Sequence, residues 1–163
     1  MAKIIIGIMG PGEGATEQDC RLANELGWRV ALKGWVLLTG GRSHGVMQAA
    51  AEGAKAAGGL TLGILPSAER SGASKDIDIP VLTGLGEARN VVNVLTSQVI
   101  LVCGMSAGTA SEVALALKTQ RPVILVAAER ATAAFFASLG RPVLEAQDAN
   151  EAIRIVEELL QEA

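Results

Sequence analysis

The segment Thr39-Gly-Gly-Arg-Ser-His-Gly-Val-Met47 concentrates the residue types that hold an oxyanion. Gly40, Gly41 and Gly45 carry no Cβ, so backbone can approach a ligand closely. A helix starting just after them would add unpaired N–H groups and a favourable dipole. Arg42 and Ser43 place a cation and a hydroxyl in the same turn, as phosphate binding requires. A second segment, Cys103-Gly-Met-Ser-Ala-Gly-Thr-Ala-Ser-Glu112, repeats the theme. Gly104, Ser106, Gly108 and Thr109 offer N–H groups and hydroxyls at another helix start. Glu112 stands three residues after Thr109, the spacing of a capping box, and also suits a carboxylate facing a ligand's sugar or base edge. Arg89 opens a helix, where a cation opposes the macrodipole, so helix stability does not explain it. An anionic ligand does, and so does a carboxylate partner such as Glu87 or Glu13. Asn90 and Asn93 follow on the same helix, and one of the two is expected to be exposed.

Positioning these turns requires a regular frame, and the chain supplies one. Apolar, β-rich runs at Ile4–Met9, Trp35–Thr39, Leu60–Leu65, Ile79–Thr83, Val99–Cys103, Pro122–Ala127 and Pro142–Leu144 predict seven strands. Helical patterns fall between them at 16–33, 45–57, 87–97, 109–119, 131–139 and 148–162. Thr16 with Asp19 marks a helix start, and Gly34 its end. Several strands are continuous apolar runs, as expected when both faces are covered. The prediction is a single α/β domain over residues 1–163. It is doubly wound and Rossmann-like, with a mostly parallel sheet of about seven strands flanked by helices. Ligands of such sheets bind where the carboxyl ends of the strands meet the turns, and four of those turns here are rich in glycine. Residues 67–78 read as a surface loop.

Composition removes several functions. The net charge is −3 with signs interspersed, and the only aromatics are Trp28, Trp35, Phe135 and Phe136. Neither a basic stripe nor stacking platforms exist, so nucleic acid is not an expected partner. No run reaches the roughly 18 apolar residues of a membrane span, and no secretory signal is evident. Cys20 and Cys103 lack metal or disulfide spacing, which suggests a reducing cytoplasm. Cys103 reads as a buried packing residue. His44 is the single histidine and reads as a turn residue, so no protein-bound catalytic metal is expected. The first glycine turn is Gly10-Pro-Gly-Glu-Gly14, and the second strand ends in Thr39-Gly-Gly rather than an acid, which argues against NAD. Nothing matches a P-loop. The helices around 91–95 and 113–117 are apolar on most of their circumference, so a second copy of the chain is expected to cover them, as a homodimer or homotetramer.

Thr39-Gly-Gly-Arg-x-x-Gly-Val-Met47, Ala56-Ala-Gly-Gly-Leu-Thr-x-Gly-Ile-Leu-Pro66, Ala88-Arg-Asn90 and Gly108-Thr-Ala-Ser-Glu-Val-Ala-Leu-Ala116 together resemble the LOG-type (SLOG) Rossmann-like superfamily. With Gly10-Pro-Gly-Glu-Gly-Ala-Thr-Glu17, the pattern is most similar to the branch of molybdenum cofactor carrier proteins. The resemblance implies a carrier or store for molybdenum cofactor, with molybdoenzymes as recipients. It implies a site built from Gly40, Gly41, Arg42, Ser43, Gly45, Arg89, Asn90, Gly104, Ser106, Gly108, Thr109 and Glu112. In LOG enzymes, which hydrolyse nucleoside 5′-monophosphates to base and ribose 5-phosphate, the positions of Arg89 and Glu112 are catalytic. A phosphoribohydrolase of this type is the alternative function, and a sensor of a nucleotide-derived ligand is a third. Asn90 replaces the lysine of the enzyme pattern, and Gly104-Met105-Ser106 replaces its Pro-Gly-Gly. Those departures favour binding over hydrolysis. Relatives are sometimes labelled lysine decarboxylases, but no residue set here suits pyridoxal phosphate.

Overall fold

The computed structural model describes residues 2–162, in which strands and helices alternate. The elements are β1 (Ile5–Met9), α1 (Glu17–Leu32), β2 (Val36–Thr39), α2 (Gly45–Ala56), β3 (Thr61–Leu65), β4 (Ile79–Leu82), α3 (Arg89–Thr96), β5 (Val99–Cys103), α4 (Ala107–Lys118), β6 (Val123–Val126), α5 (Arg130–Ala137), β7 (Leu144–Ala146) and α6 (Ala149–Glu162). The strands form one sheet in the order β4-β3-β2-β1-β5-β6-β7. Every neighbouring pair is parallel. The chain builds outward from β1 to β4, then returns to lay β5 against the other side of β1. That reversal leaves a crevice at the carboxyl ends of β1 and β5, where open α/β sheets bind ligands.

Strand periodicity sorts the core into two layers. Ile6, Ile8, Leu101 and Cys103 face α1, α2 and α6, where Leu26, Val30, Ala50 and Val156 are buried. Ile100, Val102 and Leu125 face α3, α4 and α5, against Val94, Val113 and Phe136. Both faces of the central strands are therefore dry, which is why they read as unbroken apolar runs.

Local chemistry sets the boundaries. Thr16 and Asp19 form a reciprocal capping box, the Asp19 N–H donating to Thr16 Oγ1 at 3.1 Å and the Thr16 N–H to Asp19 Oδ2 at 2.9 Å. The last strand lies two residues later than the apolar run at Pro142–Leu144 implied. Pro142 has no N–H for the ladder, and the observed register pairs Leu144 with Ile124 and Ala146 with Val126. The helix expected over 87–97 begins instead as a 3-10 turn at Gly86–Ala88, after which α3 starts at Arg89.

The β3–β4 crossover contains no helix. Its loop folds back on the β2–α2 turn through an antiparallel bridge between Arg42 and Ala73. The Ser43 N–H donates to the Gly72 carbonyl at 3.0 Å, and the Ser74 N–H to the Gly41 carbonyl at 2.8 Å.

Candidate functional site

A cavity of about 260 Å³ opens at the crevice between the carboxyl ends of β1, β2 and β5. Gly10, Gly12 and Glu13 from the β1–α1 turn and Gly40, Arg42 and His44 from the β2–α2 turn form one side. Glu87, Arg89 and Asn90 from the start of α3, with Ser106, Gly108, Thr109 and Glu112 from α4, form the other.

Two helices aim their N-termini here. α2 begins after His44, whose side chain makes no cap bond, and no acid stands in its first turn. The Val46 N–H is taken by the Pro11 carbonyl at 3.0 Å, so it is the dipole and the remaining first-turn N–H groups that are available to an anion. α4 is capped by Ser106, whose Oγ accepts from the Thr109 N–H at 3.2 Å and lies 2.9 Å from Thr109 Oγ1. Because the cap is Ser106, Glu112 is no capping-box partner of Thr109. It sits further into α4, is 7% exposed, and accepts a 2.9 Å hydrogen bond on Oε1 from Asn93 Nδ2. Burial pushes its carboxyl up to about 7, against the Asn93 hydrogen bond and the Arg89 charge, which pull it down.

Arg89 makes no ion pair with Glu87 or Glu13. The side chain is buried, and its Nη1 donates to the carbonyls of Gly40 at 2.8 Å and Ile64 at 2.7 Å, at the ends of β2 and β3. Its Nε has no partner. Burial lowers its pKa, opposed by the nearby Glu112 and Glu87 carboxylates. A guanidinium at such a site remains charged.

Gly40 has a steric reason to be glycine, since a Cβ there would lie 2.2 Å from Arg89 Nη1. Gly40→Ala is expected to displace the guanidinium and to cost roughly 1–3 kcal/mol in urea denaturation. Gly108 is the contrast, with nothing nearer than 3.9 Å to an added Cβ. Gly108→Ala lies in a helix and is expected to be neutral or stabilising by up to about 1 kcal/mol.

The model of the SLOG cluster4 family matches residues 3–153. The chain belongs to the SLOG cluster4 family. This SLOG cluster4 chain is similar to the molybdenum cofactor binding protein from the phototrophic bacterium Rippkaea orientalis, at 50% identity over 98% of this chain and 99% of that one, with a TM-score of 0.96. It is similar to the molybdenum cofactor carrier protein MCP from Chlamydomonas reinhardtii at 49% identity, over 98% and 99% of the two chains, with a TM-score of 0.92. An uncharacterized protein of Archaeoglobus fulgidus is 42% identical over 118 residues, 72% of this chain and 76% of that one.

Within the cluster4 chain, the sequence reading and the cavity coincide at Gly40, Arg42, Arg89, Asn90, Ser106, Gly108, Thr109 and Glu112. Gly41, Ser43, Gly45 and Gly104 are outside its lining. The Gly41 N–H donates to Thr39 Oγ1 at 3.0 Å, and the Ser43 N–H is used by the β3–β4 loop. Gly45, at φ +53°, packs its Cα against the Pro11 and Gly12 carbonyls. Gly104 faces the Asp19 carboxylate, in a separate groove. Asn90 and Asn93 are both buried, against the expectation that one would be exposed. His44 lines the cavity rather than serving only as a turn residue. Cys103 is fully buried and its thiol is pushed up by burial, as a packing residue requires. Sequence reasoning offered Glu87 as a partner for Arg89 but not as a wall of the cavity, and it missed the coupling of Asn93 to Glu112. The four-residue spacing of Arg89 and Asn93 was the available signal, because it puts both on one face of α3.

Proposed function

We propose that this chain binds molybdenum cofactor and carries it to molybdoenzymes. The observation that carries the reading is near-full-length similarity, at half identity, to proteins that bind or carry that cofactor. The cavity suits its phosphate-bearing end: Arg42 and the uncapped start of α2 at one wall, the α4 N-terminus at the other, and Arg89 between them with an unpartnered Nε. No metal-ligating side chain is needed, because the cofactor brings its own metal. Among the described residues no helix is long and apolar enough to cross a membrane, and we place the protein in the cytoplasm. The test is anaerobic loading with molybdenum cofactor, gel filtration, and transfer to an apo-molybdoenzyme. Retained cofactor and restored enzyme activity are expected. Failure of retention removes the proposal.

A second reading rests on Glu112, whose carboxyl titrates near 7 beside Arg89, as a general acid would. Release of free base from AMP, abolished in Glu112→Ala, would establish a phosphoribohydrolase. No release across a panel of nucleotides would end that reading.

We further infer that a second copy covers the α3–α4 face. Leu95 is 48% exposed there, and Val91, Val92 and Leu115 are only half-buried. A homodimer or homotetramer is the expected mass in light scattering at micromolar concentration, and a monomer would contradict it.

A further inference from the structure

The cavity carries more acid than an anion site explains. Beside Arg42 and Arg89 it contains three carboxylates, Glu13, Glu87 and Glu112. Glu112 is the buried one, and phosphate placed against it would be repelled. Its Oε1 is committed to Asn93 Nδ2, and Oε2 takes no hydrogen bond from the protein. Asn93 is wholly buried, is absent from the cavity lining, and uses its amide N–H on nothing but Glu112. It therefore acts on a ligand through the carboxylate. On the same helix face, one turn earlier, Arg89 Nε is a buried donor without an acceptor. A free acceptor beside a buried donor that lacks an acceptor specifies a ligand edge of the opposite pattern.

We infer that Glu112, held in place by Asn93 as a positioning residue, reads the lactam edge of a 2-amino-4-oxo heterocycle of the guanine or pterin type. Such an edge presents an N–H and an exocyclic amine on adjacent atoms to one carboxylate, with its carbonyl oxygen alongside for Arg89. An adenine-type edge turns a ring-nitrogen lone pair toward the carboxylate and is rejected, because a buried polar group would be left unpaired. The ligand is thereby bipolar: its anion lies at the Arg42 and α2 mouth, and its neutral donor edge on Glu112. This rests on the reading of the cavity as a site for a phosphorylated heterocycle.

Calorimetric titration of the full chain with ribose 5-phosphate, AMP, IMP and GMP tests it. GMP is expected to bind at least about tenfold more tightly than AMP, with IMP, which lacks the 2-amino group, between them. The GMP-to-AMP ratio should fall toward one in Glu112→Gln. It should also rise with pH through the Glu112 titration, because only the carboxylate accepts both donors. Arg89 and Glu87 act on that carboxylate, and Glu13, Arg42 and His44 line the same cavity. Asn93→Ala removes a hydrogen bond that favours the ionised form, so its midpoint should move to higher pH. A merely structural role for Asn93 would leave the midpoint in place. Equal affinity for GMP and AMP in the native protein, or a ratio that ignores pH, overturns the inference even if molybdenum cofactor is retained. If neither the cofactor nor any phosphate ester binds, the functional reading itself fails.

Discussion

Arg89→Met is expected to abolish ligand binding and to destabilise the fold in the same step. The guanidinium Nη1 ties the Gly40 and Ile64 carbonyls, and both acceptors would be buried without partners in the variant. Hydrogen bonds to a charged group contribute about 1.5–3 kcal/mol each, so a loss of about 3 kcal/mol or more is expected. For a domain of this size that lowers Tm by roughly 6–12 °C. Removing the buried cation should weaken an anionic ligand by at least about 100-fold, since truncating a desolvated charge contact costs about 2–5 kcal/mol. Arg89→Lys keeps the charge but replaces the planar, weakly hydrated guanidinium, whose Nη1 meets both carbonyls, with a compact, strongly hydrated ammonium, and should recover only part of either quantity. Thermal melts and calorimetry on the same preparations check both. An unchanged Tm in Arg89→Met would mean that the carbonyl ties contribute nothing to the fold.

The second large effect has the opposite sign. Glu112 has its carboxyl raised from 4.5 to about 7, so the folded chain holds its proton more tightly than the unfolded chain. The stability contributed by the neutral form is fully present below about 4.5 and is lost as pH rises through about 7. Integrated over that interval, the ionised carboxylate costs roughly 3 kcal/mol. Glu112→Gln removes the charge while keeping size and polarity. The variant should therefore match the native protein near pH 4.5 and exceed it in stability by up to that amount at pH 8. Denaturant titrations at the two pH values decide it. A gap of the same size at both would show that Glu112 does not titrate in this window. A carboxylate that lowers stability at neutral pH is a reason to look for its use in binding.

The frame was legible because its signals are local or periodic. The runs at Ile4–Met9 and Val99–Cys103 bury both faces, so they announce parallel central strands without any knowledge of their neighbours. Thr16, Asp19 and Gly34 act within a few residues and could be read in place. The site was legible in outline, since glycine turns at the ends of successive strands converge wherever the sheet is doubly wound. Its details were not, for reasons of distance along the chain. Thr109 precedes Glu112 by the capping-box spacing, and only the observed first turn of α4 assigns the cap to Ser106 instead. The acceptors of Arg89 lie 49 and 25 residues away, and they are carbonyls, which no side-chain pattern reveals. Ser43 loses its N–H to Gly72, a contact that exists because the β3–β4 crossover has no helix to hold it away. β7 was misplaced because an apolar run does not show which of its residues can donate to a neighbour.

The double attachment of Arg89 determines how variation at this site would appear in a living cell. A substitution there does not yield an inert but abundant protein. It yields less protein, because a chain weakened by a few kcal/mol is cleared by proteases before its ligand is ever tested. Changes at Glu112 do the reverse, leaving a plentiful protein with altered selectivity. A genetic screen scored by growth alone would rank the two together, whereas one that also measures protein level would separate them.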